Sequence, residues 1–157
     1  MISFKEPKKS VFDKEAIIKA VGKAKAKVMA LQGAEIRRQA RRLIKNPSNK
    51  RQVSAAGQPP INRTGLLRNF ILFSFDTATR SLVVGPAKLN VKSNAPNTLE
   101  FSGMSESQTV NRIGKGGGTY KVTRPPVKIE ARPYMGPALE KATPRLAALW
   151  ENSVKAG

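Results

Sequence analysis

The chain contains no cysteine and no histidine. Without cysteine it has no disulfide framework and no thiolate nucleophile, and without histidine the usual zinc sites and every imidazole-based acid–base mechanism are excluded. Most hydrolase chemistry goes with them. Acids are scarce as well, with 10 Asp and Glu against 29 Lys and Arg in 157 residues, a formal net charge of +19. Glu100, Glu106, Glu130, Glu140 and Glu151 are scattered with no spacing that identifies a catalytic pair. Lone acids in so basic a chain are more often ion-pair partners. Residues 1–10 carry no apolar run of signal-peptide length, and no stretch approaches the length of a membrane span. The expectation is a protein made and kept in a cytoplasm.

What is present is positive charge and enough apolar residue, 39% of the chain, for one domain over 1–157 with a modest core. A charge this large implies anionic partners, of which nucleic acid is the commonest; charge alone leaves acidic protein surfaces and anionic membranes open. The glycines at 114 and 116–118 do not form a phosphate loop, because Lys115 is followed by Gly116 rather than by Ser or Thr at a helix start. Zinc-finger spacing, an aromatic RNA-binding strand motif and a helix-turn-helix are all missing, so binding to nucleic acid would be to phosphates and indifferent to sequence.

Periodicity places a long basic helix over 13–46 after a polar arm at 1–12, with Ser10 or Asp13 as cap. Ile17, Val21, Ala24, Val28 and Leu31 mark one apolar stripe, and after a one-position drift Met29, Gly33, Ile36, Ala40 and Leu43 continue it. Arg37, Arg38, Arg41, Arg42 and Lys45 surround the second half. Such a helix suits a solvated surface, a DNA-facing wall or a subunit contact. Asn46 and Pro47 end it.

Residues 47–61 read as a loop, and 62–101 as a short helix, a hairpin and a short ordered piece at 98–101. The run Phe70, Ile71, Leu72, Phe73, Phe75 is apolar enough for a central strand. Residues 103–126 form a basic, glycine-rich excursion bearing Arg112, Lys115, Lys121 and Arg124, with Tyr120 and Val122 in the return arm of a ribbon. Its few apolar residues cannot offset the entropy of ordering it within one subunit, so it should be mobile alone and make contacts beyond its own chain. Residues 127–157 give a strand and a closing helix with Leu139, Leu146, Leu149 or Trp150, and Val154 on one face, kinked at Pro144 or restarting there with Thr143 as cap. The fold class is α+β: a small, mostly antiparallel sheet against the two helices, with long polar loops.

Several short pieces follow one another in order: Gly57-Gln58-Pro59-Pro60, Thr64-Gly65-Leu66-Leu67-Arg68-Asn69, Val84-Gly85-Pro86, Leu99-Glu100-Phe101, and Ala131-Arg132-Pro133-Tyr134-Met135-Gly136-Pro137-Ala138-Leu139-Glu140. Together with the basic first helix and the closing helix they resemble the neck and tail-completion proteins of long-tailed bacteriophages and prophages. The motif positions are Pro59, Pro60, Gly65, Leu66, Arg68, Gly85, Pro86, Glu100, Arg132, Pro133, Met135 and Pro137. Ser102, where relatives often have glycine directly after the Glu-Phe pair, and the length of the excursion depart from the pattern.

The resemblance implies a structural virion protein of the head–tail junction, assembled as a homo-oligomeric ring with a hexamer as first guess. It implies neighbouring head-closure and tail-tube or tail-terminator proteins as partners, and genomic DNA passing through the channel. It implies no catalysis, no cofactor, no metal and no membrane partner. The rival is a sequence-independent nucleic-acid-binding protein, ribosome- or nucleoid-associated, for which charge and basic helix suffice. Of the motif residues, Gly65 and Gly85 are expected to serve backbone geometry, and Met135 and Leu139 to fill core.

Overall fold

A computed structural model describes residues 14–49, 51–87, 94–151 and 153. The arm at 1–12, the caps assigned to Ser10 and Asp13, and Val154 lie outside the described residues. Helix α1 (Lys14–Leu43) is followed by the single turn α2 (Leu66–Asn69) and by strands β1 (Ile71–Asp76) and β2 (Ser81–Pro86). Then come α3 (Ala95–Phe101), β3 (Gly103–Met104), β4 (Gln108–Ile113), β5 (Thr119–Arg124), β6 (Lys128–Ile129) and α4 (Met135–Ala148). The architecture is α+β.

The main core cluster sits against the second half of α1, while Ala24 and Val28 of its first half are also buried. Ala40 and Ile44 pack with Ile71, Tyr134 and Ala138, and Leu43, Leu67, Leu99 and Met135 close around them. Small side chains carry the α1–α4 contact, with Ala40, Ala138 and Ala142 all fully buried, which lets the two helix backbones approach closely. Gln32 Nε2 donates to the Leu146 carbonyl at 3.1 Å and Arg145 reaches Glu35 at 3.6 Å along the same seam. Gly33 faces the β1–β2 hairpin, where an added Cβ would stand 2.6 Å from Phe73 Cδ2. Toward its start α1 outruns the core, so that Ile17, Ile18 and Val21 of the expected first stripe and its flank are exposed.

The strands form three separate two-stranded antiparallel ribbons, β1–β2, β3–β6 and β4–β5. No central strand exists among the described residues. β1 has an open outer face, because Phe73, paired with Val84, turns toward α1 while Leu72 and Val83 point to solvent. Asp76 closes the hairpin turn by accepting from the amides of Ala78 and Thr79 and from the Thr79 hydroxyl. These bonds, the Thr79 hydroxyl first, hold its carboxyl below the usual carboxylate value.

Two further expectations are corrected. The ordered piece at 98–101 is longer, a helix from Ala95 with Pro96 in its first turn, where a missing N–H costs nothing. Of the two readings at Pro144, the restart is excluded, because α4 runs on through it; Thr143 is inside the helix, donating its hydroxyl to the Leu139 carbonyl at 2.8 Å, a back-bond rather than a cap. The buried face of α4 is Ala138 and Ala142, whereas Leu139 is 48% exposed and not core.

Candidate functional site

The basic residues divide into two groups. Arg37, Arg38, Arg41 and Arg42 lie at helix positions that span an arc of about 140° at 3.6 residues per turn. They do not radiate around α1 as the sequence pattern implied; together with Ala34 and with Arg68 from α2 they line one open cleft of about 340 Å³. Lys45 is outside this cleft. It lines a larger one of about 1000 Å³ with Pro59, Pro60, Pro137, Gln52 and Lys141, and Arg42 borders both.

Arg41 anchors the first cleft. Its Nη2 donates to the carbonyls of Asn69, at 2.5 Å, and Ile71, at 3.5 Å, which ties α1 to the start of β1. Burial, followed by the charges of Arg37 and Arg68, pulls its guanidinium below the ordinary value. The Nε atoms of Arg37 and Arg41 are buried without a partner among the described residues. The nearest acid in sequence, Glu35, is engaged with Arg38, Gln39 and Arg145, and no carboxylate lines the cleft. The Gln39 amide, then Arg38 and Arg145, hold the Glu35 carboxyl below its ordinary value despite an opposing effect of burial.

Arg112, Lys115, Lys121 and Arg124 sit on the β4–β5 ribbon, far along the chain from the cleft. The register pairs Gln108 with Arg124, Val110 with Val122 and Arg112 with Tyr120, so Arg112 and Arg124 share a face with those apolar residues. Lys121, paired with Asn111, is on the opposite face, and Lys115 is in the Gly114–Gly118 turn closed by the Gly114 N–H to Gly118 O bond. All of β4 is exposed, and the ribbon is held at its base by β3–β6, by the Ser105 amide donating to the Val127 carbonyl and by the Val127 amide donating to the Ser105 hydroxyl oxygen. It is a projecting arm, as the glycine-rich composition implied.

Of the motif residues, Glu100, Arg132, Pro133, Met135 and Pro137 meet at the start of α4. Glu100 accepts from the backbone amides of Tyr134 at 2.9 Å, Met135 at 3.1 Å and Gly136 at 2.9 Å, a single carboxylate satisfying three donors at a helix N-terminus. Arg132 joins three segments, its amide donating to Leu99 O and its Nε to Ser54 O, while the Gly57 amide donates to Ala131 O. Pro133 leads into α4 and Pro137 occupies its first turn. Met135 packs against the core as expected. Gly65 takes a left-handed φ of 81° before α2, where its role is backbone geometry. Gly85 has no positive φ and open space around it, so the expected backbone role is absent there. Leu66 is exposed and its neighbour Leu67 is the one that packs on the core.

Gly85 and Pro86 instead line an apolar groove of about 610 Å³ with Leu82, Phe101 and Leu139. Sequence reasoning missed two residues at this junction: Glu100 as a cap for a helix more than thirty positions away, and Tyr134 as the largest fully buried side chain. Burial and the Glu100 charge push the Tyr134 phenol well above its ordinary value. Its hydroxyl has no partner among the described residues. Among the described residues no helix is long and apolar enough to cross a membrane, and no group of three or more His, Cys, Asp or Glu side chains that could hold a metal ion occurs.

Comparison with family models, with curated proteins and with solved structures found no match in any of the three.

Proposed function

We propose that the protein is a structural virion subunit of a long-tailed bacteriophage, a neck or tail-completion component that forms a ring at the head–tail junction and surrounds the DNA passage. The observation that carries this reading is incomplete burial. Ile17, Ile18 and Val21 at one end of α1, Leu72 and Val83 on the hairpin's outer face, and Phe101 and Leu139 in the groove are exposed on separate parts of the subunit. A chain that leaves unlike apolar patches open is suited to head-to-tail contacts with copies of itself, and such contacts close into rings when the rotation permits. The ordered motif pieces add to it, because several of them meet where α3, α4 and the 47–61 loop join. Six copies is the first guess, with head-closure and tail-tube or tail-terminator proteins as neighbours. The role is structural and asks for no catalysis and no cofactor; its location is the virion neck, reached from the host cytoplasm.

The arginine cleft favours a second reading, a free protein that coats nucleic acid without regard to sequence. Sedimentation of the full chain, alone and with the products of its flanking genes, separates the two. Discrete ring-sized species that bind those products support the neck. A monomer that ignores them and coats DNA at physiological salt supports the rival.

A further inference from the structure

We infer that the cleft between α1 and α2 is a phosphate-binding site that takes the phosphodiester backbone of DNA, an inference that rests on the reading of a subunit placed against the DNA passage. Arg37, Arg38, Arg41, Arg42 and Arg68 line one cleft with no carboxylate among its lining, Arg38 alone of them being ion-paired among the described residues, with Glu35. Charges on a merely solvated helix face diverge into water; here the Nε atoms of Arg37 and Arg41 are buried and unpartnered, donors already removed from water with nothing supplied to accept from them. Arg41 is held in place by the Asn69 and Ile71 carbonyls, so its planar fork is fixed before any ligand arrives. An oxyanion in the cleft would relieve the mutual repulsion of the cations that line it.

The fixed spacing of its anions favours the phosphodiester over an acidic protein face. From Arg37 to Arg42 the helix rises by about 8 Å, over which the facing strand of a DNA duplex presents roughly two phosphates, each with two free oxygens on a stiff backbone. Bidentate guanidinium contacts also suit a strand whose successive anions lie at fixed intervals.

The test is the salt dependence of DNA binding by the full-length protein, followed by fluorescence anisotropy of a labelled duplex. Arg42→Gln/Arg68→Gln removes two cleft cations without touching the Arg41 anchor, and Lys19→Gln/Lys23→Gln removes equal charge from the distant, exposed start of α1. The cleft pair is expected to lower the slope of log K against log salt by about two and to weaken binding roughly tenfold or more at 0.1 M salt, with the control pair changing the slope much less. Thermal unfolding within a few degrees of the unaltered protein shows that the cleft variant folds. If it does not, Arg42→Lys/Arg68→Lys replaces it, keeping the charge and the slope while losing the bidentate fit.

Equal slopes for the Arg42→Gln/Arg68→Gln and control pairs overturn the inference, and for the Arg42→Lys/Arg68→Lys pair an affinity equal to that of the unaltered protein does so. So does competition by poly-glutamate as effective, per charge, as an unlabelled duplex, which would assign the cleft to an acidic protein surface. Displacement of DNA by millimolar inorganic phosphate at constant ionic strength would assign it to free phosphate instead. Failure of the neck reading is distinguished by the absence of the unaltered protein from phage particles, a result independent of the slope.

Discussion

Replacing Gly33 and Gly22 separately by alanine sets two identical changes in one helix against each other. Each substitution in an α-helix interior favours the helix by up to about 1 kcal/mol, because glycine loses more backbone freedom on folding than alanine does. At Gly22 nothing stands within 4 Å of the added Cβ, so that gain should appear in full. At Gly33 the Cβ would lie 2.6 Å and 2.7 Å from Phe73 Cδ2 and Cγ and 3.1 Å from Leu82 Cδ1. Ordinary carbon contacts are about 3.5–4.0 Å, and forcing a methyl into a packed interface costs about 1–3 kcal/mol. The propensity gain cancels between the variants, so their difference in stability isolates the steric cost of about 1–3 kcal/mol. In a chain of this size each kcal/mol corresponds to roughly 2–4 °C in Tm.

Thermal and urea unfolding followed by circular dichroism would read the difference. Gly22→Ala should raise Tm and Gly33→Ala should lower it or leave it near the unaltered value. Adding Phe73→Leu to Gly33→Ala should recover part of the loss relative to Phe73→Leu alone. Equal gains from both alanines would refute the close approach of α1 to the hairpin, and with it the placement of the second apolar stripe.

Glu100→Ala should destabilise by about 3 kcal/mol, more than loss of an ordinary cap, because three amides at the start of α4 lose their acceptor together; Glu100→Gln should cost less, and equal Tm values for all three proteins would contradict the cap. Glu35 titrates below its ordinary value of 4.5, so its contribution is present above that pH and is lost as pH falls through the depressed value. Glu35→Gln should therefore cost roughly 1 kcal/mol at pH 7, with the difference in Tm closing as the pH falls through the depressed value; a difference constant with pH would count against the Arg38, Gln39 and Arg145 network. Excising 108–124 and joining the ends by Gly-Ser, which the Gln108–Arg124 pairing permits, should leave the core's unfolding transition in place while lowering the yield of joined heads and tails. Full infectivity of that deletion would make the arm a solvated loop. In the free protein, limited proteolysis should cut at Gly114–Gly118 first.

The second stripe of α1 was legible because the 3.6-residue period that brings Gly33, Ile36 and Ala40 to one face is also what the core requires. The first stripe was legible as a face but not in how far it is covered, since periodicity reports which side chains align and not whether anything covers them; Ala24 and Val28 are buried, whereas Ile17, Val21 and Leu31 are exposed. The apolar run Phe70–Phe75 was read as central on composition alone, yet it has one partner strand and an open outer face. The arginine pattern was visible at 37, 38, 41 and 42, but its convergence depends on Arg68, brought alongside by a turn of helix whose position no local spacing encodes. Glu100 was hidden for the same reason: its three amide partners follow thirty-four to thirty-six residues later, so only the fold brings them together.

The central claim is tested most directly by particle imaging of phage that carry this protein with a label on the 108–124 arm. The account requires a closed ring, six copies in the first instance, at the junction of head and tail with the arginine clefts toward the DNA passage. A single copy, an open filament, or label found only on free DNA would contradict it.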